Sequence, residues 1–286
     1  MPTPVSVVIL TRGDRPAALH DAIQSVREQR GVDAEVVVVL NGPLAEVDVQ
    51  QGLVTVTLAE NVGIPEGRNI GLRAATAPVV AFLDDDGRLL GHDVLARTLR
   101  HFDDDPRLAV VAWRIVDEAG QTAQRHVPRP GAASAATSGA VAGFLGGASA
   151  VRRDAFEEAG GYAGDFFYAM EETDLTWRLV EHGWTLWYDA DATMFHPATS
   201  PTRHADAIAR TARNRAWAAH RNLPWAVLVV HLALWTLITG VRGGLTAMRT
   251  SARSTLAALR APLGPRRPMH WRTVWRLSRL GRPPLL

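Results

Sequence analysis

Four short runs dominated by β-branched and other apolar residues, Val5–Leu10, Glu35–Leu40, Val54–Leu58 and Val79–Leu83, fill the first third of the chain. Between the first two, Leu19, Ile23 and Val26 recur at helical spacing up to a stop at Gly31. Strands apolar on both faces and separated by amphipathic helices call for an α/β architecture, a mostly parallel central sheet covered by helices. Ligands of such sheets gather at the carboxyl ends of the strands, where Thr11, Asn41, Asn61 and Asp84 to Asp86 fall. Val94–Phe102 reads as a further helix, and Leu108–Val116, Phe144–Val151 and Trp184–Ala190 as further strands. Asp117–Ala140, rich in Gly, Pro, Ala and Ser, reads as a mobile loop able to order over a substrate.

Val79–Leu83 runs directly into Asp84-Asp85-Asp86-Gly87. Side chains alternate along an extended backbone, so Asp84 and Asp86 point to one side and Asp85 to the other. Two carboxylates so close repel unless a cation joins them, and hard oxygen ligands suit magnesium, manganese or calcium better than zinc. The alternative is a solvated acidic turn, for which Asp-Gly is also good chemistry.

A second acidic cluster, Glu171, Glu172 and Asp174, follows the aromatic run Phe166-Phe167-Tyr168 and opens a helix that Gly183 ends. Acids at a helix N-terminus are favoured by the macrodipole at ~0.3–1 kcal/mol each, and Asp174 can pair with Arg178 one turn on. The aromatic run points instead to a walled pocket. His196, just beyond the last strand, would complete a metal site with Asp84 and Asp86. Between the third and fourth strands, Gly63, Gly67 and Gly71 allow close backbone approach, and Arg68 offers a guanidinium fork to a phosphate.

All 31 basic residues are arginine, which excludes Schiff-base and P-loop lysine chemistry, and the absence of cysteine excludes disulfides and thiolate metal sites. Residues 1–196 hold 16 arginines and 28 acids, a charge of −12, whereas residues 197–286 hold 15 arginines and one acid, Asp206, a charge of +14. Such a split divides the chain into a body, residues 1–200, and a basic, apolar helical tail, residues 201–286, suited to phosphate-rich surfaces. Leu223–Val241 is 19 residues without a charge, at the short end of what spans a bilayer, with His231 and Pro224 inside it. Leu245–Arg260 places Arg249, Arg253 and Arg260 on one helical face, the pattern of a helix lying on anionic lipid. The other reading is a helical hairpin packed on the body or on a second subunit, as in a homodimer. Tryptophans inside apolar runs suit a lipid interface better than nucleic acid. Met1–Leu10 lacks the basic start and cleavage site of a secretory signal, so a cytoplasmic protein peripheral to the inner face of the cell membrane is expected.

With these parts assembled, residues 3–200 resemble family 2 of the glycosyltransferases, the inverting group with the GT-A fold. The likeness rests on Val5-Ser6-Val7-Val8-Ile9-Leu10-Thr11-Arg12, on Asn61-Val62-Gly63 through Gly67-Arg68-Asn69-Ile70-Gly71, and on Phe82 to Asp86. It continues through Gly160-Gly161-Tyr162, Phe166-Phe167 and Glu171-Glu172-Thr173-Asp174-Leu175 with Arg178 and Gly183. Arg213-Asn214-Arg215 through Arg221-Asn222-Leu223-Pro224-Trp225 is similar to the tail of bacterial relatives that glycosylate lipid-linked carriers, rhamnosyltransferases among them.

The resemblance implies a nucleotide diphosphate sugar donor, a hydroxyl acceptor on a polyprenyl-linked or other cell-envelope carrier, and a magnesium or manganese ion. It implies Thr11, Arg12 and Asp14 near the base, with Asn41, Asn61 and Gly67 on the donor side and Arg68 toward the phosphates. Asp84 and Asp86, matching the family's Asp-x-Asp pair, would hold ribose and metal beside Asp85, and His196 matches the late metal-binding histidine. Gly146, Gly147 and Tyr168 would lie on the acceptor side. Glu172 falls where the family places its general base, flanked by Glu171 and Asp174. Two positions depart from the pattern: Leu40 stands where many members carry an aspartate that reads the base, and the base position holds Glu rather than Asp. Rival readings are a sugar nucleotidyltransferase, which needs a Gly-rich loop after the first strand where this chain has Thr11-Arg12-Gly13-Asp14, and a non-catalytic membrane scaffold, which would not keep all six acids.

Overall fold

The computed structural model describes residues 3–43, 52–128, 135–198, 206–262 and 264–285. The expected boundary between residues 200 and 201, and residues 129–134 of the expected loop, lie outside the described residues. In chain order the elements are β1 (Thr3–Thr11), α1 (Pro16–Arg27), β2 (Val32–Asn41), β3 (Val54–Leu58), α2 (Gly63–Ala74), β4 (Val79–Asp84) and β5 (Arg88–Leu90). They continue with α3 (Val94–Asp104), β6 (Leu108–Val116), β7 (Gly139–Ala140), β8 (Ala148–Arg152), α4 (Arg153–Glu158), α5 (Glu171–Glu181) and β9 (Thr185–Phe195). The tail forms α6 (Ala207–Asn222), α7 (Trp225–Arg260) and α8 (Trp271–Arg279).

The strands make one sheet in the order β3-β2-β1-β4-β8-β6-β9-β5, with β7 paired to β9. β3, β2, β1 and β4 run parallel, β8 runs antiparallel to both β4 and β6, and β6 and β9 are parallel again. Alternation decides which face each side chain covers. Val5, Val7 and Ile9 of β1 join α1 and α3 in one core, while Val8, Val37, Val39 and Phe82 join α2, α5 and the tail helices in the other. α2 sits hard on β1 because it has no side chains in the way: a Cβ on Gly67 would lie 2.5 Å from Leu10, and one on Gly71 2.3 Å from Val8.

Two expected strands differ from the sequence reading, and β5 and β7 are absent from it, β7 lying in the expected loop. Phe144–Gly147 is not extended; Ala148 N–H donates to Leu145 O, and β8 starts only after that turn. β9 runs five residues past Ala190, because Asp189 Oδ1 accepts from the backbone of Asp191 and Ala192 and absorbs a register shift against β6. That extension carries the chain to His196.

The tail packs on the body. Ala216, Ala219, Leu223, Val227, Leu232, Ala258 and Leu277 belong to the same buried cluster as Val8 and Phe82. α7 is broken at Gly244 (φ 77°), and its two halves meet where Gly240 lies against Met248. Arg249, Arg253 and Arg260 are all exposed.

Candidate active site

β4 ends at Asp84, and a tight turn, with Gly87 N–H on Asp84 O at 2.9 Å, fans out the three aspartates. Asp85 is buried, accepting from Thr11 Oγ1 and from Arg15 Nη2, each at 2.6 Å. Burial pushes its carboxyl pKa up, while the Thr11 hydroxyl and Arg15 pull the other way. Asp84 and Asp86 meet His196 from the end of β9, with one ligand atom from each lying within 4.8 Å of the others, and Asp86 shares Arg15 with Asp85.

His196 Nε2 is 3.3 Å from Asp86 Oδ1 and 3.8 Å from Asp84 Oδ2, and its Nδ1 lies 2.9 Å from Pro197 O. A carbonyl can only accept, so Nδ1 carries a hydrogen and Nε2 is the ring nitrogen that faces the two carboxylates. Two carboxylates and an imidazole nitrogen within reach of one another are a donor set that suits a divalent cation with oxygen and imidazole ligands, so the residues fit such a metal.

The second acidic cluster closes on the first through Arg68. Only 5% exposed, its Nη2 donates to Asp84 Oδ1 at 2.9 Å, and Nη1 lies 3.9 Å from Glu172 Oε1 and 4.0 Å from Glu171 Oε1. Burial alone would weaken its hold on the proton; Asp84, Glu172 and Glu171 more than reverse that, and its pKa is raised. The turn that replaces the expected strand supplies the wall. Gly146 N–H donates to Glu172 Oε1 at 3.1 Å, and Cβ atoms on Gly146 and Gly147 would lie 2.1 Å from Arg68 Nη1 and from the Asp84 carboxylate. Glu171 is buried, and among the described residues its Oε2 has no hydrogen-bond partner. Burial, then the neighbouring Glu172 charge, pushes its pKa up.

The segment entering α5 is strained. Phe167, Ala169 and Met170 have φ of 64°, 70° and 73°, a left-handed region that costs non-glycine residues ~1–3 kcal/mol each. Fully buried Asn214 of α6 holds it: Nδ2 lies 3.0, 2.7 and 2.9 Å from the carbonyl oxygens of Phe166, Tyr168 and Ala169. On the other side Ile64 N–H donates to Phe167 O at 2.8 Å. Tyr168 is half-buried there, which raises its pKa.

Asp174, expected beside Glu172, faces away from it. Asp174 is fully buried and accepts from Arg178 Nη2 at 2.6 Å and from Asn222 Nδ2 at 2.7 Å, with Arg221 at 3.4 Å. Its carboxylate ties α5 to α6 instead of flanking Glu172. Gly67 admits Leu10 of the sheet, and Arg68 bridges the two acidic clusters. Asn41 is spent on backbone, giving Nδ2 to Gly63 O and taking Val62 N–H, and Asn61 Oδ1 accepts from Gly63 N–H. Arg12 and Asp14 lie exposed on the loop after β1. The sequence reading gives no site role to Arg15, which bonds both Asp85 and Asp86, or to Asn214. A second arginine in the loop 11–16 is the only signal for Arg15; nothing in the local pattern marks Asn214 as holding a loop some 45 residues upstream.

No curated protein sequence matches the chain. Among solved structures the fold is similar to the crystal structure of GalNAc-T7 with UDP, GalNAc and Mn2+, at a TM-score of 0.64 and 15% identity over 92% of this chain and 59% of that one. It is also similar to the mannosyltransferase PcManGT from Pyrobaculum calidifontis in complex with GDP-Man and Mn2+, at 0.58 and 19% over 91% and 76%. A third is S. aureus TarS 1-349, at 0.57 and 15% over 76% and 65%. The chain thus spans less than two thirds of the GalNAc-T7 and TarS chains. The mixed sheet and its helices are the GT-A fold. The sequence profile described as glycosyl transferase family 2 matches residues 6–160, and the chain belongs to that family.

Proposed function

We propose that the protein transfers a sugar, with inversion, from a nucleotide diphosphate sugar to an acceptor hydroxyl, with Asp84, Asp86 and His196 holding magnesium or manganese and Glu172 acting as general base. The observation that carries this reading is the reach of Arg68, one guanidinium against both Asp84 and Glu172. The carboxylates proposed as metal ligand and base thus share one guanidinium. Support comes from the similar structures, which hold UDP or GDP-Man with Mn2+.

A bound divalent ion would neutralise the charge that develops on the departing diphosphate. The rest falls to side chains. The Glu172 carboxylate, oriented by Gly146 N–H, takes the proton of the acceptor hydroxyl as that oxygen attacks C1 and the C1–O bond to the diphosphate breaks. Thr11, Arg12, Asp14 and Asp85 line the donor side, and Gly146, Gly147 and Tyr168 the acceptor side. Attack opposite the leaving group inverts the anomeric carbon.

We assign this chemistry to residues 1–200 and membrane contact to residues 201–286, placing the enzyme on the cytoplasmic face of an anionic membrane with a polyprenyl-linked acceptor, as in rhamnosyltransferase-like relatives. The tail's charge of +14 and the exposed Val229, Val230, Leu237 and Val241 of α7 support this. Calorimetric titration of the full chain with UDP and with GDP, with and without manganese, tests the site. Metal-dependent binding of one nucleotide, lost in Asp86→Ala, is expected; equal affinity with and without manganese would sink the proposal.

A further inference from the structure

The last helix has two faces of opposite character. Leu277 and Thr273 point inward, Leu277 fully buried in the large core, and Val274 packs against that core. Its start is pinned, since His270 N–H donates to Glu181 Oε2 at 3.0 Å and the His270 ring also bonds Glu181. The orientation of α8 is therefore fixed, and so is what it turns outward. Trp271 and Trp275, one turn apart, are 56% and 67% exposed. Arg272, Arg276 and Arg279 stand among them, and with Trp275 they line one open recess of about 610 Å³. α8 contains no acidic residue.

We propose that this outer face of α8 seats the protein on an anionic lipid bilayer, Trp271 and Trp275 entering the headgroup layer while Arg272, Arg276 and Arg279 bind lipid phosphates. The proposal rests on the membrane reading above and names the element that makes the contact. Large aromatic side chains bury ~150–250 Å² each when covered, so leaving two of them bare on one face needs a partner. Indole, apolar with a single N–H, settles at the depth where hydrocarbon gives way to headgroups. Guanidinium forks match phosphate oxygens. Complementary charge selects the partner: beyond Pro197 the chain offers only Asp206 against its arginines, so the tail seeks anions from outside itself.

Flotation of the full chain with phosphatidylcholine vesicles, with and without phosphatidylglycerol, tests this. Wild type should float only with phosphatidylglycerol present. Trp271→Ala/Trp275→Ala should lower the partition coefficient roughly tenfold or more, and Arg272→Ala/Arg276→Ala/Arg279→Ala roughly fivefold for each arginine removed. Leu237→Ser/Val241→Ser on α7 tests the tail's other exposed apolar face, and should lower flotation less than the α8 variants do. If wild type does not float, the membrane reading falls and this proposal with it. If wild type floats, both α8 variants float equally well and the α7 variant does not, the membrane reading stands and α8 is not the anchor. Light scattering that shows the α8 variants dissociating a dimer, with flotation unchanged, would likewise overturn it in favour of a second copy on this face. Should the arginine variant fold poorly, the tryptophan pair, whose side chains are mostly in solvent, decides alone.

Discussion

Arg68 donates to Asp84 at 2.9 Å from one end of its guanidinium, while the other end lies 3.9 Å from Glu172. A single buried cation thus balances carboxylates from the end of β4 and the start of α5. Removing one partner from such a cluster leaves uncompensated buried charge, which costs about 3–5 kcal/mol. Arg68→Ala should show that loss in urea unfolding. Arg68→Lys should recover only part of it, because an ammonium cannot fork between two sites. Full stability in Arg68→Ala would mean that the cluster is not electrostatically coupled.

Gly147 touches the carboxylate that Arg68 holds. A Cβ there would sit 2.1 Å from the Asp84 carboxyl atoms, so Gly147→Ala must displace Asp84 or the turn itself. Overpacking of this kind costs about 1–3 kcal/mol. The variant should keep its far-ultraviolet circular dichroism yet lose manganese-dependent nucleotide binding by calorimetry; unchanged binding would separate Asp84 from the metal.

Glu171 links the site to pH. Burial and the Glu172 charge push its pKa from 4.5 up to about 8, so the folded chain holds that proton more tightly than the unfolded one. Its contribution to stability is complete below pH 4.5 and drains away as pH rises through 8. Glu171→Gln mimics the protonated form and does not lose it. Melting temperatures of variant and wild type should therefore diverge in favour of the variant as pH climbs across that window; parallel curves would show that Glu171 ionises normally.

Glu172 is the partly solvent-reached carboxylate of the pair, positioned by Gly146 N–H. Glu172→Gln preserves shape and hydrogen bonding but cannot take a proton. Turnover should fall roughly 10²- to 10⁴-fold, with calorimetric nucleotide affinity kept. Unaltered turnover would remove Glu172 from the role of base.

Much of this was legible in the chain. Alternation in Val79–Asp84 carries only as far as Asp84; the turn after it brings Asp86 to the same histidine and buries Asp85 against Thr11. Gly183, at φ 88°, ends the helix that Glu171 opens. Periodicity did not reveal the turn at Phe144–Gly147, since small apolar residues look alike whether they extend or fold around a neighbouring guanidinium. In the sequence Asp174 is one acid beside two others, but its partners Asn222 and Arg221 come from a helix that the charge split assigns to the tail. Long-range polar pairing leaves no local trace, and the donors of Asn214 were invisible for the same reason.

Asn214 carries that lesson into a test. Its two N–H groups are shared by three carbonyls of a segment in which Phe167, Ala169 and Met170 are all left-handed, and that segment ends at Glu171 and Glu172. Without the donors, the segment can relax toward ordinary backbone angles and swing the first turn of α5. Asn214→Asp keeps the volume but turns an oxygen toward those carbonyls. Loss of these bonds should cost about 1–3 kcal/mol, and a displacement of Glu172 near one ångström should lower kcat on the order of 10²-fold. The proposed metal and nucleotide ligands sit at the ends of β1, β4 and β9, so manganese-dependent nucleotide affinity should stay as in wild type. A purely structural asparagine would instead lower melting temperature and nucleotide affinity together and leave kcat of the folded fraction intact, and that outcome would deny the tail helix any part in placing the base.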